Sequence, residues 1–201
     1  SDNKNNLTKI FNKYNPDGII ISTGRTRKLE FDISNFKSCN LVLLNCWSDN
    51  FNGISILPAD YDSTKKAVKS LIKMKKKNIA VIQPIEYEWQ GYADRLSGWR
   101  DAHFESNLKI NPKLICRPSK NKKYSSESEN GFEALEKLIN KKIKFDAVFA
   151  LNDLLAMGCY QAAKENKKNI PKDFSIIGFD NSITSINLKP SLSSIQLPIA
   201  E

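Results

Sequence analysis

Five short runs of almost uninterrupted apolar residues, at 17–22, 41–45, 78–82, 146–151 and 174–179, recur along the chain with longer amphipathic stretches between them. Ile-, Val- and Leu-rich runs of that length are what strands buried on both faces look like. Their alternation with helical periodicity is the pattern of a parallel sheet wound by crossover helices. Leu7, Ile10, Phe11 and Tyr14 form one helical face. Ala67, Val68, Leu71, Ile72 and Met74 form a second, with Asp62-Ser63-Thr64 as its N-cap and Lys73 to Lys77 at the end that the helix dipole favours for cations. Tyr92 to His103, Gly131 to Ile139 and Leu154 to Ala163 give three more helices. Residues 113–116 give a weaker strand, and the Pro-, Ser-, Lys- and Asn-rich stretch 116–130 reads as a long loop. The fold class is therefore α/β, doubly wound with right-handed crossovers, and its ligand crevice belongs at the carboxyl ends of the strands.

The 201 residues suffice to bury a sizeable core, and 40% hydrophobic with 26% charged residues is ordinary globular usage. No apolar run approaches the roughly 18 residues of a membrane-spanning helix, so no membrane partner is expected. The opening Ser1-Asp2-Asn3-Lys4-Asn5-Asn6 has neither the basic start nor the apolar stretch of a secretion signal. The net charge of +9 comes mostly from lysines scattered through 73–77, 120–123, 137–144 and 164–172. Without an arginine–aromatic alternation that would stack bases, these read as solvated helix faces.

Four cysteines without a CxxC pair and a single histidine cannot assemble a Cys/His zinc site, so no metal is expected. Cys46 and Cys159 lie inside apolar runs and read as buried reduced thiols, which points to the cytoplasm. His103, between Asp101-Ala102 and Phe104-Glu105, reads as a helix-surface residue and leaves no Ser or Cys triad. GxGxxG, GxxxxGK[ST] and GxSxG motifs are absent, so neither a cofactor nor an enzymatic reaction is expected.

The strand ends are polar. Strand 41–45 ends at Asn45, strand 146–151 runs into Asn152-Asp153, strand 174–179 runs into Asp180-Asn181, and the helix after strand 78–82 carries Asp94 and Arg95 near its start. A guanidinium with carboxylates and amides supplies fixed donors and acceptors for a small ligand bearing hydroxyls or ring nitrogens. Each also has a structural reading: Asn152 or Asp153 as a helix cap, Asp180 as a brace for the turn after it, Asp94 solvated or paired. Asp153 and Asp180 share a location that a carboxylate pair for acid–base work would need, with nothing else in the spacing to support it. Trp47, Trp89, Tyr92, Trp99, Tyr124 and Phe149 offer either core or a stacking platform.

The segment 145–181 carries Phe149-Ala150-Leu151-Asn152-Asp153, a helix with Ala156-Met157-Gly158, and Ile170-Pro171-Lys172-Asp173-Phe174-Ser175-Ile176-Ile177-Gly178-Phe179-Asp180. Pro190-Ser191-Leu192-Ser193-Ser194-Ile195 follows, and Arg95-Leu96-Ser97-Gly98-Trp99 precedes. In this order these motifs resemble the effector-binding domain of the lac repressor and purine repressor family of transcriptional regulators, over about residues 7–197. The resemblance implies two doubly wound parallel-sheet lobes of the periplasmic-binding-protein type, the amino-terminal one incomplete: 1–55 with a return at 196–201, and 56–195. It implies a small effector, a sugar, sugar phosphate or purine, held between the lobes by Arg95, Asn152 and Asp180. Phe149 falls where the purine repressor has a stacking aromatic, and Tyr124 in a loop from which lac-type members offer one. A homodimer is implied, with operator DNA contacted only through a helix-turn-helix head that this sequence lacks. Met74-Lys75-Lys76, Leu197 and the shifted Asp60-Tyr61-Asp62 depart from the family pattern, and none of them is assigned to ligand. The rival reading is a periplasmic sugar-binding protein serving a transporter or chemoreceptor.

Overall fold

The computed structural model describes residues 9, 13–30, 33, 36, 40–85, 89–119 and 126–197. Leu7, Ile10, Phe11, Cys39 and Tyr124 lie outside the described residues, as does the return segment beyond Leu197. The chain divides into two compact units, Ser1–Ala59 with Trp89–Gly91, and Asp60–Glu88 with Tyr92–Glu201.

The first unit contains β1 (Gly18–Lys28), β2 (Asn40–Trp47) and β3 (Ile54–Ile56), parallel and adjacent in that order. Period-two alternation puts Leu41 and Leu43 on one face, and the left-handed backbone of Asn45 (φ 60°) shifts the phase so that Cys46 joins them; the three form a core with Leu29, Ile33 and Phe36. The other face carries the cross-strand row Ile20, Val42 and Ile54, and there Ile20 is 71% exposed. β1 runs six residues past its apolar stretch because a side-chain clamp carries the pairing over an irregularity between Ser22 and Arg27. Thr23 Oγ1 donates to the Asn45 carbonyl at 2.7 Å and Asn45 Nδ2 donates back to the Thr23 carbonyl at 3.0 Å.

The second unit is built on five parallel strands in the order β5-β4-β6-β7-β8: β4 (Ile79–Ile82), β5 (Ile115–Cys116), β6 (Ala147–Ala150), β7 (Ser175–Asp180) and β8 (Ser193–Gln196). Every residue of β4 and β6 is buried, as their continuous apolar runs require when both faces are covered. The helices are α1 (Asp60–Lys73), α2 (Gln90–Glu105), α3 (Glu127–Asn140), α4 (Asp153–Glu165) and the short α5 (Ile183–Asn187). α3 and α4 meet at glycines: a Cβ on Gly131 would lie 2.0 Å from the Leu155 carbonyl oxygen, and one on Gly158 would lie 1.8 Å from that of Ser128. No side chain larger than hydrogen fits at either position.

Several boundaries differ from the sequence reading. α1 begins at Asp60, ahead of the cap read at Asp62-Ser63-Thr64, and Thr64 is buried. α3 begins at Glu127 inside the stretch read as loop, because Ser126 and Glu129 form a reciprocal capping box. β3, β8 and α5 are additional, too short or too polar to stand out as periodic. His103 is a correction. It lies on α2 as read but is buried, its Nδ1 2.8 Å from the Trp99 carbonyl and its ring 4.5 Å from that of Trp99, and burial lowers its pKa. The charged neighbours Asp101 and Glu105 belong to other faces of the same helix. Cys46, Cys116 and Cys159 are free and buried, and burial pushes the Cys116 thiol up to about 12.

Candidate functional site

In sequence order the strands of the second unit stand 2-1-3-4-5, so the winding reverses between β4 and β6, and open parallel sheets bind ligands beyond the carboxyl ends at such a switch point. The residues at the carboxyl ends of β4, β6 and the neighbouring β7 therefore occupy the position where chemistry is expected. Asn152 and Asp180 are two of them.

Arg95, on the second turn of α2, is buried at that end of the sheet. Its Nε donates to Asp60 Oδ1 at 2.8 Å, Nη1 donates to the Leu151 carbonyl at 2.5 Å, and Nη2 lies 3.6 Å from Asp180 Oδ1. The guanidinium lies over the Phe179 ring at 3.5 Å, a face that holds the plane while the fork points at its acceptors. Asp60 is buried at the start of α1, and burial raises its pKa against the opposing pull of Arg95. One residue thus joins the beginning of α1, the end of β6 and the end of β7.

Asp180 closes β7 with φ at 103°, a conformation that costs a non-glycine residue of the order of 1–3 kcal/mol and is found where surrounding structure enforces it. Its side chain keeps 38% of its surface open. Burial raises its pKa to about 6; Arg95 lowers it, while Asp153, Glu127 and Asp60 push it further up.

Asn152 is the N-cap of α4: its Oδ1 accepts from Leu155 N at 2.8 Å. Its Nδ2 donates to Tyr92 Oη at 2.8 Å and to Glu127 Oε2 at 2.6 Å, while Tyr92 Oη donates to Glu127 Oε1 at 2.8 Å. The cap reading and the site reading of Asn152 both hold in one geometry. Its amide protons are committed to Tyr92 and to Glu127, a residue that is itself partly buried. Burial and the neighbouring Glu127 carboxylate raise the Tyr92 pKa, which keeps its hydroxyl a donor.

Asp153 is closed off. Its Oδ2 accepts from Ser182 N and Oγ at 2.7 and 3.0 Å, its Oδ1 from Ser194 Oγ at 2.6 Å, and Gly178 has no room for a Cβ beside it. It ties the loop after β7 and the strand β8 to the start of α4. Phe149 has no exposed surface: β6 is covered on both faces, which makes the ring core and leaves it no face for a ligand. Tyr124 lies outside the described residues. The structure thus brings together Arg95, Asn152 and Asp180 and adds Asp60, Tyr92 and Glu127, which sequence reading did not place there. A capping box at Ser126-x-x-Glu129 was the one signal that could have located Glu127, at the head of a helix facing the strand ends.

Residues 68–201 match the periplasmic binding protein-like domain family. The chain belongs to that family. The periplasmic binding protein-like domain is 32% identical over 185 residues to the catabolite control protein A of Priestia megaterium, covering 91% of this chain and 53% of that protein. It is 31% identical over 199 residues to the transcriptional repressor PurR of Pasteurella multocida, covering 96% of this chain and 58% of that protein. The chain therefore spans little more than half the length of these curated relatives. Its fold matches that of a sugar-binding LacI-family transcriptional regulator from Escherichia coli crystallised with phosphate, with a TM-score of 0.81 at 24% identity over 98% of this chain and 69% of the other. Among the described residues no helix is long and apolar enough to cross a membrane, and no group of three potential ligating side chains is placed to hold a metal ion.

Proposed function

We propose that this periplasmic binding protein-like domain is the ligand-sensing part of a cytoplasmic, homodimeric transcriptional regulator. A small effector of the sugar or nucleobase class binds at the carboxyl end of the second unit's sheet, against Arg95 and Asp180 with Asn152 as the residue that positions Glu127. The observation that carries this reading is the guanidinium of Arg95 turned towards the partly open, strained Asp180 at the carboxyl end of the sheet, one strand from its switch point. Repressor relatives over nearly the whole chain support the regulatory role. Binding changes DNA affinity through a coupling free energy, which for typical regulators amounts to about 1–3 kcal/mol, or roughly 5- to 150-fold. The DNA contact belongs to a helix-turn-helix head outside this sequence, since among the described residues the lysines are scattered over several elements.

The test is a mobility-shift titration of the complete gene product on the promoter DNA upstream of its own gene, with and without sugars, sugar phosphates and nucleobases. One chemical class should change the DNA affinity at least tenfold. Absence of specific DNA binding, or DNA binding that no ligand alters, overturns the proposal.

A further inference from the structure

Strand register fixes which side chains share the last row of the second unit's sheet. Val81, Phe149 and Ile177 stand side by side on β4, β6 and β7, so Gln83, Leu151 and Phe179, each two residues further on, return to the same face. The pairing reaches this row on both sides of β4: Gln83 N donates to the Cys116 carbonyl at 3.0 Å, and Leu151 N donates to the Ile82 carbonyl at 3.1 Å. The face is the one on which Arg95 lies over the Phe179 ring. With neighbouring strands about 4.8 Å apart, Gln83 stands two spacings, roughly 10 Å, from Phe179, at the carboxyl end of the sheet and on the side that Arg95 occupies.

Gln83 is a polar residue in an apolar place, 1% exposed beside the fully buried Leu151. Its Oε1 accepts from Arg117 Nε at 3.2 Å. A guanidinium nitrogen can only donate, so this contact fixes how the amide is turned: the oxygen faces Arg117 and the NH2 group is turned away from it. Nε2 is buried and has no hydrogen-bond partner among the described residues. Folded proteins rarely leave an amide donor shut away from water and unpaired, because the desolvation cost of the group is then uncompensated. Thr64 Oγ1 and Trp99 Nε1 share that condition, but they belong to the helices α1 and α2. Gln83 stands at a strand end, and β4 is one of the two strands between which the winding reverses.

We infer that Gln83 Nε2 is a ligand-binding donor, giving a hydrogen bond to an acceptor of the effector, a carbonyl or hydroxyl oxygen or an unprotonated ring nitrogen, and so selecting for molecules that carry one there. The inference rests on the reading of this site given under Proposed function and adds to it a residue and a polarity. Asp180, at the end of β7, accepts hydrogen bonds from the ligand, whereas Gln83, at the end of β4, offers one. A bound molecule is thereby oriented across the sheet end, with an acceptor towards β4 and hydroxyl or N–H donors towards β7.

The experiment combines thermal melting of the free protein with calorimetric titration of the parent, Gln83→Met and Gln83→Glu, using free hexoses, pentoses, nucleobases and nucleosides as probes. Met fills the space of the side chain without a polar group, and Glu keeps an acceptor for Arg117 while removing the donor. Without ligand, Gln83→Met should melt no lower than the parent, since the substitution removes a donor that no protein group satisfies. The probe that binds the parent should bind both variants at least tenfold more weakly. At least one analogue lacking a single acceptor, a singly deoxygenated sugar or purine in place of hypoxanthine, should lose that affinity in the parent and lose none further in Gln83→Met, the non-additivity expected of two groups in contact. A free Gln83→Met that melts below the parent shows that the protein itself satisfies the amide, and overturns the inference. Binding lost in Gln83→Met but kept in Gln83→Glu also overturns it, because an ionised carboxylate cannot donate. A probe held by Gln83→Met as tightly as by the parent, yet lost in Asp180→Asn, overturns this inference alone and leaves the proposed function standing. Failure of every probe to bind the parent overturns both.

Discussion

Arg95 and Asp60 form a buried pair, and the two ways of disturbing it differ in cost. Removing the guanidinium in Arg95→Met leaves Asp60 uncompensated in a buried position and should destabilise the second unit by about 3–5 kcal/mol in urea denaturation. The double replacement Asp60→Leu with Arg95→Met should recover most of that loss while leaving ligand binding abolished, because the folding cost lies in the stranded charge and the function in the guanidinium. Asp180 behaves in the opposite sense. Its folded-state pKa, about 6, lies above the ordinary carboxylate value, so its favourable contribution to folding is present at low pH and is lost as pH rises through about 6. Asp180→Asn should therefore raise stability above pH 6 by roughly 1 kcal/mol, discounted for the 38% of the side chain that stays open, and flatten the pH dependence of thermal melting between pH 4 and 7. A variant less stable at pH 7 than the parent would contradict this. Arg95, Asn152 and Asp180 were legible in the sequence because they sit within a few residues of a strand end or helix start, where a local rule applies. Asp60, Tyr92 and Glu127 were not, because their roles depend on contacts across 25 and more residues that no local pattern announces.

At the scale of elements, the contact between α3 and α4 is fixed by backbone proximity at Gly131 and Gly158. Gly158→Ala would improve helix propensity by about 1 kcal/mol, but its Cβ would lie 1.8 Å from the Ser128 carbonyl, and separation of the helices should cost more than that gain. A net loss of at least 1 kcal/mol in chemical denaturation is expected; a net gain would show that the helices can part freely. Ser126→Ala removes the cap of α3 and should cost about 1 kcal/mol, with the additional effect of loosening the element that carries Glu127. The buried strands were readable from continuous apolar runs, and β4 and β6 are buried along their whole length. The elements that escaped are those whose stability is tertiary. β8 is Ser-Ser-Ile-Gln, held by pairing to β7 and by Ser194 on Asp153, and β3 is three residues beside β2. His103 was misread because charged neighbours in sequence point to other faces of a helix, and only the packing of Trp99 shows which face is inside.

Over the whole molecule the two units differ in how their apolar residues are used. The second unit buries β4 and β6 completely, whereas the three-stranded sheet of the first leaves Ile20, Ile54 and Ile56 open along one face. Native-state hydrogen exchange should accordingly find the slowest amides in β4, β6 and β7 and appreciably faster exchange in β1 to β3; equal protection would contradict the difference in packing. The central claim is that the chain binds a small molecule through Arg95 and Asp180. The most direct measurement is thermal melting of the parent and of Asp180→Asn across a panel of free sugars, amino sugars, nucleobases and nucleosides. A ligand at 100 times its Kd stabilises by about 2.7 kcal/mol, which for a chain of this length corresponds to a rise of roughly 5–10 °C. The account expects one chemical class to produce that rise in the parent and none in Asp180→Asn. A rise that survives the substitution unchanged, or a folded protein that no member of the panel stabilises, would contradict it.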